Sequence, residues 1–283
     1  MSIEIIKTEQ SRKGEKRRKM RRWYHKFVLA LAILVPLFFL VSTLGVKFGL
    51  WDWKVGLGLN FKFVPILLPL LAFLGLIGLL LATLIKPRKG YIVSAAALII
   101  GAAGLLHGAK VKKTADRLPF IHDITTDTQN VPTFTSAILS ERAKVEGVNT
   151  VDYVGKKAPT KAKDADGKPV MKLVSVLQTQ TKAYADIRSL ILEDDPDVVF
   201  GEAKAAVKQM GWALKSENVK GGIIEATDTT FWYGFKDDVV IRIRPSEGGG
   251  SVLDIRSVSR VGGSDIGANA ARIRKFLTIM GKA

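Results

Sequence analysis

Three long apolar runs dominate the first hundred positions of the chain. The first, Phe27 to Val46, reads FVLALAILVPLFFLVSTLGV and carries no charge. The second, Val64 to Ile85, is also uncharged, and the third, Tyr91 to Ala109, is richer in Ala and Gly. A hydrocarbon core about 30 Å thick needs roughly 20 helical residues. The pattern therefore predicts three transmembrane helices, at about 27–46, 64–85 and 91–109. A buried or re-entrant helix is the alternative for the third. Pro36, Pro65 and Pro69 do not argue against helices here, because neighbouring segments satisfy the freed backbone groups. Gly104 and Gly108, with Ala97 and Gly101 upstream, form a small-residue series that lets helices approach closely. Packing within the chain's own bundle is the simpler use of it, and dimerisation is the alternative.

From Leu118 onward the period changes. Residues 118–133 are rich in Asp, Thr, Asn and Pro and show no helical stripe. The run KKAPTKAKDADGKPVMK, 156–172, is lysine-rich and poor in apolar residues, which predicts a flexible excursion. Its Asp164, Asp166 and Gly167 superficially resemble a calcium loop, but the further carboxylates such a loop needs are missing. Asp195 and Pro196 then open a helix, with Val199, Ala203, Val207 and Met210 on one face and Gly211 as its stop. Four strand-like runs follow near Trp212–Glu217, Ile223–Tyr233, Asp238–Pro245 and Ser251–Arg260, joined by short turns as in an antiparallel meander. A last helix is expected to start at Ser264 as its N-cap, burying Ile266, Ala270, Ile273, Leu277 and Met280.

The last two strands can be registered. Folding about Gly248 places Ile241 opposite Ile255, Ile243 opposite Leu253, and Arg242 opposite Asp254. A one-residue slip would spoil both faces. The sheet then has one apolar face, covered by the two helices. The other face carries Arg242, Arg244, Asp254, Arg256 and Arg260, and is either solvated or docked on an acidic partner, a lipid headgroup or another part of this chain.

Charge changes the picture only once it is divided. Of the net +17, residues 1–26 supply ten Lys/Arg against three Glu, while 110–283 holds 27 basic and 22 acidic residues. The strong field sits at the N-terminus, so the C-terminal domain lacks the basic face of a nucleic-acid binder. Arg12 to Arg22 and Lys86 to Gly90 flank the apolar runs and should be cytoplasmic. The loop 47–63, with Phe48, Trp51, Trp53, Phe61 and Phe63, then faces outward as an interfacial aromatic belt, and so does the domain 110–283. The basic tail 1–26 reads as a topology signal with attraction to anionic lipid. The chain has no cysteine, which excludes disulfides and thiolate chemistry.

Several segments together resemble a known family. PFIHDITTD, AYADI, WYGFKDDVVIRIRP and DIRSVSRVGGSDIGANAARIRKF are similar to the bacterial family called domain of unknown function 1499, from about Leu118 to the C-terminus. The resemblance implies a membrane-associated bacterial envelope protein. It implies neither an activity nor catalytic residues. The expected protein is thus a multi-pass inner-membrane protein: a basic cytoplasmic tail (1–26), a three-helix membrane region (27–109) and a periplasmic α+β domain with a four-stranded antiparallel sheet and two packed helices (110–283).

Candidate chemistry is sparse. Of the three histidines, His122 alone belongs to the C-terminal domain, which excludes a three-histidine zinc site there. His122, Asp123 and Asp127 form the weak catalytic candidate, without a nucleophile-elbow motif to support it. Asp237 and Asp238 read as turn residues. VGGSD, 261–265, offers Gly263 and Ser264 at a helix start beside Arg256 and Arg260, a potential anion site, although Asp265 would repel an anion. Neither metal nor cofactor is expected. The anticipated partners are the bilayer, anionic lipid at the tail and an envelope protein, not nucleic acid. The principal expectation is a non-enzymatic domain that binds a partner or envelope component through the arginine-bearing face or the His122 region. The alternative is a membrane-tethered hydrolase or metal-dependent enzyme centred on His122. PFIHDITTD itself reads first as an ordered collar at the membrane exit, tied by its Asp and Thr side chains.

Overall fold

The computed structural model describes residues 2–84, 88–164 and 166–281. The chain divides into two compact units, 1–112 and 113–283. Three helices lead: α1 (Ser2–Lys47), α2 (Trp53–Leu84) and α3 (Tyr91–Arg117). Each contains a stretch long and apolar enough to cross a membrane. The basic segment is helical from Ser2 and continues as helix into the first apolar run. Its Lys, Arg and Glu are good helix formers, and Glu9–Lys13 and Glu15–Lys19 pair one turn apart at 2.8 and 3.0 Å.

The loop predicted over 47–63 contracts to a few residues, so Trp53, Phe61 and Phe63 lie on α2. Trp51 closes the turn by donating its indole N–H to the Ser42 carbonyl at 3.0 Å. A Cβ at Gly45 would fall 2.0 Å from the Trp51 ring. Small residues also bring α2 and α3 together. A Cβ at Gly101 would sit 2.6 Å from the Ala72 nitrogen, and one at Gly75 would sit 2.4 Å from that of Leu98. The predicted turn Lys86–Gly90 falls partly outside the described residues.

The C-terminal unit contains β1 (Asp123–Thr125), α4 (Ser136–Arg142), β2 (Lys157–Lys163), β3 (Pro169–Ser175), α5 (Val176–Ala183), β4 (Leu190–Leu192), α6 (Pro196–Gln209), β5 (Ala213–Asn218), β6 (Ile223–Thr229), β7 (Lys236–Pro245), β8 (Ser251–Ser259) and α7 (Ala268–Met280). The sheet has six strands rather than four, in the order β1-β8-β7-β6-β5, with β4 also on β8. The four predicted strands are its middle and one edge. The other edge is made by β1 and β4, which pair with successive stretches of β8 at Val258–Arg256 and Leu253–Ser251. Each is three residues long, too short to show a period. PFIHDITTD is therefore in part an edge strand rather than only a turn-tied collar. The run 156–172, read as a flexible excursion, instead supplies β2 and most of β3, which pair as a hairpin.

The predicted β7–β8 register holds at every stated pair: Ile241 with Ile255, Arg242 with Asp254, Ile243 with Leu253. Alternation puts Ile224, Ala226, Val239, Ile241, Ile243, Leu253 and Ile255 on the face that packs against α6 and α7. Each buried Ile, Val or Leu among them contributes about 1.5–3 kcal/mol. Trp212 stacks on Phe276 of α7 with ring centres 5.6 Å apart. The N-cap of helix α7 is Gly267, three residues later than expected. Ser264 is not its cap: its hydroxyl accepts the Ile266 N–H. The Asp265 carboxylate takes the N–H groups of Gly267 and Asn269 at 2.8 and 2.9 Å. Ile266 is held at φ +50°, a costly conformation for a β-branched residue.

Candidate functional site

The second face of the sheet is largely covered, although the Arg244 side chain stays 39% exposed. Residues 126–160 pass over it and consume its charges. Arg256 and Arg260 are 2% and 4% exposed. Asp123, at the start of β1, receives two hydrogen bonds from Arg256, from Nε at 3.0 Å and Nη2 at 2.9 Å. Arg256 also donates to the carbonyls of Pro132 and Val151. Its guanidinium lies 5.5 and 5.7 Å from the ring centres of Phe134 and Tyr153, a desolvated cation–π arrangement. Asp238 binds both Arg142 and Arg260, each at 2.7 Å. Arg260 reaches on to Glu141 at 2.8 Å. Hydrogen bonds from Lys215 and Arg260 hold the Glu141 carboxyl down at about 2.

A third centre is Asp254. It pairs with Arg242 at 2.8 Å and Arg244 at 2.7 Å and accepts from Ser189. Burial pushes its carboxyl up, but these donors outweigh burial and hold it below its usual range. Asp127 lies here too, 3.1 Å from Arg242 and 3.4 Å from Arg244. Its other oxygen accepts the N–H groups of Gln129 and Asn130. The predicted docking arginines are thus structural. A burial of this kind demands that each charge be paired and hydrogen-bonded, and the covering segment supplies the partners. Asp237 and Asp238 are likewise not turn residues. They lie on β7, where Asp237 meets Arg272 at 2.6 Å.

The structure separates the proposed catalytic trio. Asp127 is with Arg242 and Arg244, whereas His122 and Asp123 line a cavity of about 120 Å³ with Phe120, Lys156, Ala158 and Gly263. Among the described residues, no three His, Asp or Glu side chains gather as metal ligands. Lys156 is the cavity residue that sequence reasoning missed. In a lysine-rich run nothing distinguishes the one lysine that turns inward. It donates to Thr150 O at 3.0 Å and to Asp123 at 3.4 Å, and burial lowers its pKa.

His122 is held by its Nδ1, 3.1 Å from the Gly263 carbonyl. A carbonyl only accepts, so Nδ1 carries the proton and Nε2 presents a lone pair. Nε2 is buried with no hydrogen-bond partner among the described residues. Burial lowers the imidazole pKa, and the Lys156 charge lowers it further against the opposing effects of the Gly263 carbonyl and Asp123. The ring is therefore a neutral acceptor in a cavity that Lys156 also lines. Such a site suits an uncharged donor, a hydroxyl or an amide, and disfavours a cation. The volume holds roughly four waters at about 30 Å³ each. It is well below the 300–1,000 Å³ typical of small-molecule sites. Gly263 and Ser264 lie before the start of α7, whose first N–H groups, those of Gly267 and Asn269, go to the Asp265 carboxylate rather than to an anion.

Residues 123–280 match the family model described as Protein of unknown function (DUF1499). No curated protein matches the chain.

Proposed function

Since the chain belongs to the DUF1499 family, whose description assigns no activity, we propose on chemical grounds that it is a non-enzymatic binding protein of the bacterial inner membrane. Its α+β domain is presented to the periplasm and receives a small, uncharged donor group of an envelope protein partner in the His122 cavity. The observation that carries this reading is the buried, unpartnered Nε2 beside a space too small for a metabolite but large enough for the end of a side chain. The N-terminal basic segment supports a cytoplasmic N-terminus and attraction to anionic lipid.

A photo-crosslinker at Lys157, which is exposed and lines the cavity, tests the reading in native membranes. A discrete protein adduct should form with the full chain. Filling the cavity by Ala158→Leu should abolish it while the thermal transition is retained. An adduct unaffected by Ala158→Leu would overturn the proposal.

An enzyme centred on His122 is the second reading, favoured by the same neutral, unpartnered nitrogen, which has the form of a general base. The cavity lining contains no hydroxyl side chain to serve as nucleophile, and Lys156 is engaged by Asp123 and Thr150. Turnover of an ester or amide by the purified chain, lost in His122→Gln, would decide for the enzyme.

A further inference from the structure

One end of the sheet gathers exposed apolar side chains. Antiparallel pairing places the β6–β7 turn, the end of β8 and the start of β1 together, since Thr229 pairs with Lys236, Asp237 with Ser259, and the Ser259 N–H reaches the His122 carbonyl. The turn carries Phe231 and Trp232, 71% and 54% exposed and packed edge to face. Beyond β8, the unfavourable backbone of Ile266 holds its side chain out, 43% exposed. On the β1 side, Pro159 lines the His122 cavity with Gly263 and pairs with Leu173. Leu173 and Met171 share one face of the β2–β3 hairpin and are 69% and 63% exposed. Exposed Lys157 and Lys236 lie among these groups. From β1 to β6 the array crosses about 15 Å of sheet.

We propose that this end of the sheet rests on the lipid headgroups of the bilayer that α3 enters. Two observations select lipid over a protein occupant. The composition is that of an interfacial anchor, with aromatic and aliphatic side chains beside lysines. The array is also at the end where the chain arrives. Only residues 118–122 separate α3 from β1, at most about 18 Å of extended chain. The opposite end, with the β5–β6 and β7–β8 turns, has no such connection. The proposal does not depend on what fills the His122 cavity.

The chain has no cysteine, so a single introduced one is a unique label site. Spin-labelled Trp232→Cys, Leu173→Cys and, at the opposite end, Val219→Cys variants of the full chain are reconstituted in phosphatidylethanolamine–phosphatidylglycerol liposomes. Collisions with oxygen, which partitions into lipid, are compared with those of a water-soluble nickel chelate. At 173 and 232 oxygen should exceed the chelate severalfold, with the reverse at 219. Chelate access at 173 or 232 equal to that at 219 overturns the proposal. Shielding of either label from both reagents overturns it as well, by showing a protein contact there. None of the three positions lines the cavity, so failure here leaves the crosslinking result at Lys157 to be read independently.

Discussion

Asp123 and Arg256, diagonal neighbours across the β1–β8 pairing, are joined by two nearly equal hydrogen bonds, 3.0 and 2.9 Å, with both side chains out of solvent. One lies at the start of the domain and the other near its end. Arg256→Met leaves the carboxylate buried with Lys156 at 3.4 Å as its remaining ionic partner. It should cost about 3–5 kcal/mol, a fall of roughly 6–20 °C in Tm. Asp123→Val should cost a similar amount. The double variant should recover most of the loss, because an apolar pair replaces a buried ion pair at little net cost. Thermal unfolding of the full chain in detergent checks this. Additive losses in the double variant would show that the two side chains act independently.

Acid should expose the Glu141 linkage. Its folded pKa of about 2 lies below the ordinary 4.5. A depressed carboxyl contributes stability that is present above the unfolded pKa and is lost as pH falls through the folded one. The loss should run from about pH 4.5 down to about 2. Glu141→Gln should be less stable than the parent at pH 7, and the gap should narrow across that window. Denaturant unfolding at stepped pH reads the difference.

His122 should titrate below the ordinary 6.5, because burial and Lys156 both disfavour its cation. Here too the folded pKa is depressed. Its contribution is present above 6.5 and declines as pH falls below it, while the unfolded chain binds the proton first. Nuclear magnetic resonance of histidine-labelled protein, assigned with His122→Gln, gives the midpoint. Lys156→Met should raise it. A midpoint unmoved by that substitution would mean that the ammonium group does not face the ring.

Two glycines on turns at the same end of the sheet should respond oppositely. Gly222 has φ +62°, and a Cβ there would lie 2.0 Å from the Ile243 carbonyl oxygen. Gly222→Ala should destabilise by more than about 1 kcal/mol. Gly248 has open space and no positive φ, so Gly248→Ala should be neutral or stabilising by up to about 1 kcal/mol. Equal effects on Tm would contradict the turn geometry.

The legibility of this fold follows the strength of local constraint. The β7–β8 register was readable because its two faces demanded the same alignment, apolar on one and Arg242–Asp254 on the other. Strands β1 and β4 were not readable: three residues cannot display alternation, and what fixes them is the distant β8. The sequence leaves the arginine-bearing face open to solvent, an acidic partner, a lipid headgroup or another part of this chain. The cover, residues 126–160, is mostly irregular around the short helix α4, and its contacts to the sheet mix side chains such as Asp127, Glu141 and Arg142 with backbone carbonyls such as those of Pro132 and Val151. Ser264 looked like the helix cap, but the adjacent Asp265 binds the N–H groups. At the site, His122 stood out by its scarcity. Lys156 did not, since its neighbours share its chemistry.

The pairing of β1 with β8 also constrains the order of events during synthesis. Residues 123–125 emerge early, yet their hydrogen-bonding partners are residues 256–258. A nascent chain therefore holds an unpaired edge segment and the uncompensated Asp123 until nearly all of the domain has been made. Contacts of such long sequence separation form slowly. The sheet can close only near the end of elongation. Until then the β1 edge cannot form, and a premature stop before residue 256 leaves a domain unable to complete its own edge.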